Sequence, residues 1–275
     1  MSMDLSLVIP VRNEAENIEP LLTEIRATLD GRCDYEVIYV DDGSTDNTVQ
    51  RLTAARRDFP RLRVLRHRDS CGQSAALLTG IHAARGTWIA TLDGDGQNDP
   101  ADIPKLLAAR AAAGDDPLLL LAGYRRKRRD TWLKRLSSRI ANAVRARLLH
   151  DNTPDTGCGL KLFARATYLA LPHFDHMHRF LPALMLRAGG RVQSVEVNHR
   201  QRERGRSNYG VQNRLWVGIV DLCGVMWLRR RPLSVSMAIS MVISMGSDSI
   251  ESAEAESGKA TGSIESDPIE IKTNQ

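Results

Sequence analysis

Cysteine is scarce in this sequence and never closely spaced. Only Cys33, Cys71, Cys158 and Cys223 occur, with no CxxC pair among them, which excludes a disulfide-stapled scaffold and the usual structural zinc modules. No basic-then-apolar secretory leader precedes the first apolar run, so a reducing cytoplasm is expected. Long hydrophobic runs are missing too. The two most apolar stretches, 215–228 and 233–245, are separated by Arg229, Arg230 and Arg231, and each is too short to cross about 30 Å of hydrocarbon. There is no internal repeat. The basic stretch 125–147 holds ten Lys or Arg and one acid, Asp130, but only Trp132 as an aromatic, so it lacks the stacking residues of a nucleic-acid surface.

What is present is an ordinary globular composition: 275 residues, 42% hydrophobic and 26% charged, with a formal net charge of +5. The last thirty residues, from Gly246, carry seven acids and two bases, which leaves 36 − 26 = +10 on the rest. That excess favours anionic partners such as phosphates or lipid head groups. The tail lacks aromatics and periodicity and reads as disordered. Three regions are therefore expected: a catalytic domain over 1–210, a membrane-associated apolar and basic segment over 211–245, and a disordered acidic tail over 246–275.

Short apolar runs alternate with helical patterns along the first half: "DLSLVIPV", "YEVIYV", "RLRVLRH", "TWIATL" and "PLLLLAGY". Five such strands with helices between them imply a mainly parallel, Rossmann-like α/β sheet with helices on both faces. In the first helix, Asn13 and Glu16 read as a variant capping box and Gly31 as the stop. Ligands in such sheets bind beyond the carboxyl ends of the strands, where this chain places Arg12-Asn13-Glu14, Asp41-Asp42-Gly43-Ser44, His67-Arg68-Asp69, the segment 93–99 and Arg125.

The segment "TLDGDGQNDP" gathers Asp93, Asp95 and Gln97 at a strand end. Hard oxygen donors in that place suit Mg²⁺ or Mn²⁺ held against a diphosphate. Asp99 before Pro100 reads instead as a helix cap. Asp41 and Asp42 suit ribose hydroxyls or a base N–H. His173, His176 and His178 hint at a metal cluster but read better as a loop, followed by Arg179 at a helix start.

Six motifs in order, "VIPVRNEAENI", "YVDDGSTDNT", "LDGDGQNDP", "GYR", "DTGCGLK" and "HRQRERGRSNYG", together resemble the family 2 glycosyltransferases, within them the dolichyl-phosphate mannosyltransferase and bacterial polyprenyl-phosphate glycosyltransferase group. The likeness covers roughly residues 4–232. It implies a GT-A fold and a metal-dependent, inverting hexosyl transfer from a GDP- or UDP-linked sugar to a polyprenyl phosphate, at the cytoplasmic face of an anionic membrane, with no nucleic acid involved. It assigns Pro10, Asn13, Glu14, Asp41 and Asp42 to the nucleotide pocket, and Asp93, Asp95 and Gln97 to the metal and diphosphate. Arg125 and Ser138 match positions that hold the acceptor phosphate. Lys134 stands where relatives often show arginine, and a lysine grips phosphate at one point rather than two. Asp155 orients the acceptor or takes a proton. Arg202 matches a segment folding over the diphosphate, but Asn208 replaces its usual lysine, so closure draws on Arg200, Arg204 and Arg206 as well. Competing readings are a polysaccharide or protein acceptor, a haloacid-dehalogenase-type phosphatase with its own D-x-D motif, and a non-catalytic membrane scaffold.

Overall fold

The computed structural model describes residues 3–125, 145, 147–149, 151, 153–201 and 213–231, the side chains of 213–216 excepted. All of them belong to one compact unit, Met1–Arg231. Lys134, Ser138, Arg202, Arg204, Arg206 and the acidic tail lie outside the described residues.

The five expected strands form as β1 Leu5–Val11, β2 Tyr35–Asp42, β3 Leu62–His67, β4 Trp88–Thr91 and β5 Leu119–Tyr124. β6 Lys161–Ala164 and β7 Arg191–Glu196 complete a seven-stranded sheet of order β3-β2-β1-β4-β6-β5-β7. β1 pairs in parallel with β2 and β4, and β5 with β7. β6 runs antiparallel between β4 and β5. The inner strands read as unbroken apolar runs because both of their faces are covered. In β1, Leu5, Leu7 and Ile9 enter one core while Val8 enters the other.

The first core is closed by α1 Ile18–Leu29 and α4 Ile103–Ala112, and the second by α3 Gln73–Ala83, α5 Arg165–Ala170 and α6 Leu181–Arg187. α2 Thr48–Asp58 buries Leu52 in the first. The amphipathic stripe of α1 is as the sequence implied, with Ile18, Leu21, Leu22, Ile25 and Leu29 all buried. Its start differs. Asn13 does not cap it: the asparagine takes a left-handed φ of 57° and accepts from the Thr45 amide, while a 3₁₀ turn, Ala15–Asn17, intervenes before Ile18. Gly31 does follow the helix in the left-handed region, at φ 74°.

α7 Asn213–Arg229 lies on α6. Val225 is buried among Leu149, Phe180 and Ala183, and the Arg187 guanidinium donates to the carbonyls of Leu228 and Arg231. No helix among the described residues is long and apolar enough to cross a membrane.

Candidate active site

Six parallel strands deliver their carboxyl ends to one edge, and antiparallel β6 brings its opposite end, with residues 155–160 that lead into it, to the same edge. The polar residues expected there assemble around two centres.

The first centre joins the loops after β1 and β2. Ser44 Oγ accepts from the Asn13 amide at 2.9 Å, and Thr48 Oγ1 accepts from the Glu14 amide at 2.9 Å. Glu14 accepts from the Asn17 amide side chain at 2.7 Å. Pro10 pairs with Val40 at the ends of these two strands. Asp41 is fully buried and faces Arg66 at 3.3 Å. Asp42 points the other way, as strand alternation requires, and organises the loop after β3. It accepts from the amides of Cys71 and Gly72, from the Ser70 hydroxyl, and lies 2.8 Å from His67 Nδ1. Burial raises its pKa, but these four bonds outweigh burial and hold it below the usual carboxylate value. Its oxygens are thus engaged by its own chain, and it fixes the loop after β3 against the end of β2.

The second centre surrounds "LDGDGQNDP". The Asp93 amide donates to Asn98 Oδ1 at 3.0 Å, and the Asp95 carboxylate accepts from the Gln97 amide at 3.1 Å, so the loop is held by its own side chains. Asn98 was not anticipated; it is buried and also reaches Cys158. Asp99 caps the next turn through the Ala101 amide at 3.0 Å, as expected, and is further tied to Asn198 and Arg200. Arg200 also bonds Glu24 at 2.6 Å, so it braces the loop.

Asp93 receives the Gln73 side-chain amide at 3.0 Å. A side chain at position 159 would overlap the Asp93 carboxylate, so Gly159 alone permits their approach. Burial first, then the charge of Asp95, pushes the Asp93 pKa up to about 6, against the opposing pull of Lys161 and Arg125. Two carboxylates in mutual repulsion at a strand end are the donor set a hard divalent cation takes, so Asp93 and Asp95 fit one. Gln97 contributes its backbone: its carbonyl accepts from the Arg200 amide at 3.2 Å.

Arg125 and Asp155, both placed at the site by the sequence, come together. Arg125 Nε donates to Asp155 Oδ2 at 2.6 Å and Nη2 to Oδ1 at 2.9 Å, with both residues buried. Asp155 raises the guanidinium pKa against the opposing effect of burial. Beneath Asp93 a cavity of about 300 Å³ opens between α3, β4, β6 and the turn before α6, lined by Gln73, Lys161, Phe163, Tyr168, His178 and Arg179 among others. Asp95 instead borders a second hollow of about 210 Å³, with Asn17, Glu24 and Arg200.

Lys161 and Gln73 escaped the sequence reading. A lysine opening the otherwise apolar "KLFA" strand was the available signal. The three histidines diverge: His173 lies against Tyr168, His176 faces Asp221 at 3.2 Å, and His178 Nδ1 meets Ser74 Oγ at 2.7 Å. The metal-capable grouping of His, Cys and acid among the described residues is Asp42, His67 and Cys71 instead.

A mostly parallel sheet with an acidic pair and a cavity on one edge is the architecture of the GT-A glycosyltransferases. The glycosyl transferase family 2 profile matches residues 6–169, over half of the sequence, and the chain belongs to that family. Its relatives include a dodecaprenyl-phosphate galacturonate synthase of Rhizobium johnstonii, 37% identical over 234 residues, 83% of this chain and 68% of the relative. They also include an undecaprenyl-phosphate 4-deoxy-4-formamido-L-arabinose transferase of Edwardsiella ictaluri, 34% identical over 209 residues, 75% of this chain and 63% of the relative. The chain therefore spans about two thirds of their length. Among solved structures, glucosyl-3-phosphoglycerate synthase from Mycobacterium tuberculosis in complex with Mn²⁺, UDP and glucosyl-3-phosphoglycerate shares the fold, with a TM-score of 0.61 at 21% identity, over 84% of this chain and 82% of that one. Family membership removes the phosphatase reading.

Proposed function

We propose that this glycosyltransferase moves a sugar from a nucleoside diphosphate to a polyprenyl phosphate with inversion. The observation carrying the reading is the juxtaposition, on one edge, of the Asp93–Asp95 carboxylates, the buried Arg125–Asp155 pair and a cavity with room for a single sugar. The relatives act, by their names, on dodecaprenyl and undecaprenyl phosphates. Their sugars differ, a galacturonate and a formamido-arabinose, so the family does not fix the donor.

A divalent cation held by Asp93 and Asp95 would neutralise the leaving diphosphate. The chain's own residues do the rest. Arg125, aimed by Asp155, supplies positive charge for the acceptor phosphate. An acceptor oxygen attacks the anomeric carbon as the carbon–oxygen bond to the nucleoside diphosphate breaks. A phosphate monoester has a second pKa of about 6 and is largely dianionic above neutrality, so the reaction needs placement more than a base. Asp155 is engaged with Arg125, which agrees with a positioning role.

The lipid acceptor brings the enzyme to a membrane surface. Val217, Ile219, Val220 and Trp227 of α7 are exposed, and Arg229, Arg230 and Arg231 follow. The Arg231 guanidinium sits 5.3 Å from the Trp227 ring centre. Aromatic and aliphatic side chains beside arginines suit the head-group layer, and a peripheral position on the cytoplasmic face follows from where nucleotide sugars are found.

The test is incubation of purified enzyme and Mg²⁺ or Mn²⁺ with polyprenyl phosphate and a panel of radiolabelled UDP- and GDP-sugars. Label entering an organic-soluble, mild-acid-labile product supports the reading. Label entering polymer or protein instead overturns the lipid acceptor.

A further inference from the structure

We propose that the transferred sugar is acidic, a hexuronic acid or a close analogue, and that Lys161 and Arg179 receive its carboxylate in the cavity beneath Asp93. The inference rests on the glycosyltransferase reading and narrows its donor.

The cavity, at about 300 Å³, is at the lower bound of ligand pockets, which run roughly 300–1,000 Å³. A volume of that order suits one sugar ring. Strand register decides what lines it. Lys161 pairs with Thr91 across β4 and shares its face with Phe163, so the ammonium is directed to the cavity side of the sheet together with the apolar wall.

Lys161 is 5% exposed, yet among the described residues its Nζ has a single hydrogen bond, to the Cys158 carbonyl, and no ion pair. An ammonium carries three donors, and a buried cation without a counter-ion is costly. Burial lowers its pKa, and the fields of Cys158, Asp93 and Asp155 oppose that without fully offsetting it; Asp93 is bonded to Gln73 and Asp155 to Arg125. Arg179, which also lines the cavity, likewise forms no ion pair with a described residue, although Arg125, Arg145 and Arg200 all do. His178 between them stays uncharged: burial, then the charges of Lys161 and Arg179, hold its pKa well below the usual value, and its ring is oriented by Ser74.

The pocket thus presents two cations with no ion pair to a described residue around a space of one ring. A neutral hexose would leave both without an ion-pair partner, whereas a ring carboxylate pairs with both. The acceptor phosphate is the other anion at hand, and the kinetics separate the two.

Transfer to polyprenyl phosphate is measured with UDP-galacturonate and UDP-glucuronate against UDP-galactose and UDP-glucose, and with GDP-mannuronate against GDP-mannose. Binding of each donor is measured by calorimetry alongside. An acid donor should exceed its neutral partner in kcat/KM by at least about 100-fold, below the 10⁴–10⁵ reached where a site is built on a substrate's polar group. Arg179→Gln, at the partly exposed rim, should cut that ratio about tenfold or more, and Lys161→Met further, where circular dichroism shows it folded. Preference for neutral donors, a ratio untouched by Arg179→Gln, or a rise in acceptor KM equal for acid and neutral donors would each overturn the inference. Transfer of no sugar to the lipid defeats the glycosyltransferase reading alone, since the calorimetric preference for acid donors still decides this one.

Discussion

Arg125 and Asp155, thirty positions apart, hold each other through two parallel hydrogen bonds of 2.6 and 2.9 Å in a buried setting. Both charges are buried and face each other, so each offsets the cost of burying the other. Arg125→Ala and Asp155→Ala should each destabilise the protein by about 3–5 kcal/mol in denaturant unfolding, because each removes the ion-pair partner of a buried charge. The double variant should lose much less than the sum, while all three lose transfer. Strictly additive losses would refute mutual dependence.

Asp95→Asn tests the cation directly. The side chain accepts from the Gln97 amide, a bond an asparagine oxygen can also accept, so the loop should persist. Turnover should fall about 10²–10³-fold, as for loss of one charge-stabilising contact, with the urea midpoint little changed. A folded variant retaining more than a tenth of wild-type activity removes Asp95 from the cation site.

Asp93 gives a pH signature. Its folded pKa of about 6 lies above the ordinary 3.8, so the folded state binds this proton more tightly than the unfolded chain does. The contribution is favourable below about pH 4 and is lost as pH rises through 6. Without divalent cation at pH 8, Asp93→Asn should therefore be more stable than wild type by on the order of 2 kcal/mol, with the gap closing between pH 6 and 4. Added Mn²⁺ should stabilise the wild type and not the variant. A variant less stable than wild type at pH 8 contradicts this.

Val220 is 67% exposed and Trp227 59%, so replacing both with serine removes apolar contact area at little cost to the fold. Sedimentation with anionic vesicles should drop several-fold while the unfolding midpoint stays within error. Truncation at Leu228 is a poorer probe, because Arg187 anchors on the carbonyls of Leu228 and Arg231. Undiminished vesicle binding by the double variant would exclude this face as the docking surface.

The sequence makes the strands and the site edge legible because apolar runs of strand length end in charge, a local signal. Partnerships are a different matter. "YVDDGS" does not say which carboxylate turns toward Arg66 and which is consumed by the loop of His67 and Cys71. Asn13 was assigned to its own helix on local grounds, yet it binds Thr45, 32 residues on. Arg125 and Asp155 were named singly, and their pairing depends on β6 entering between β4 and β5, a four-residue strand whose place no periodicity encodes. Lys161 was overlooked because lysine is a surface residue by default.

That same insertion sets the order in which the enzyme is built. β6 lies between β4 and β5, joining Ile89 to Phe163 and Phe163 to Leu120. As the chain leaves the ribosome, the edges of β4 and β5 that β6 covers stay open until residue 164 has emerged, and open edges invite pairing with other chains. Such long-range pairings are slow to form. Asp93 and Arg125 follow β4 and β5 and Lys161 opens β6, so a chain released before β6 should be both inactive and a burden to chaperones.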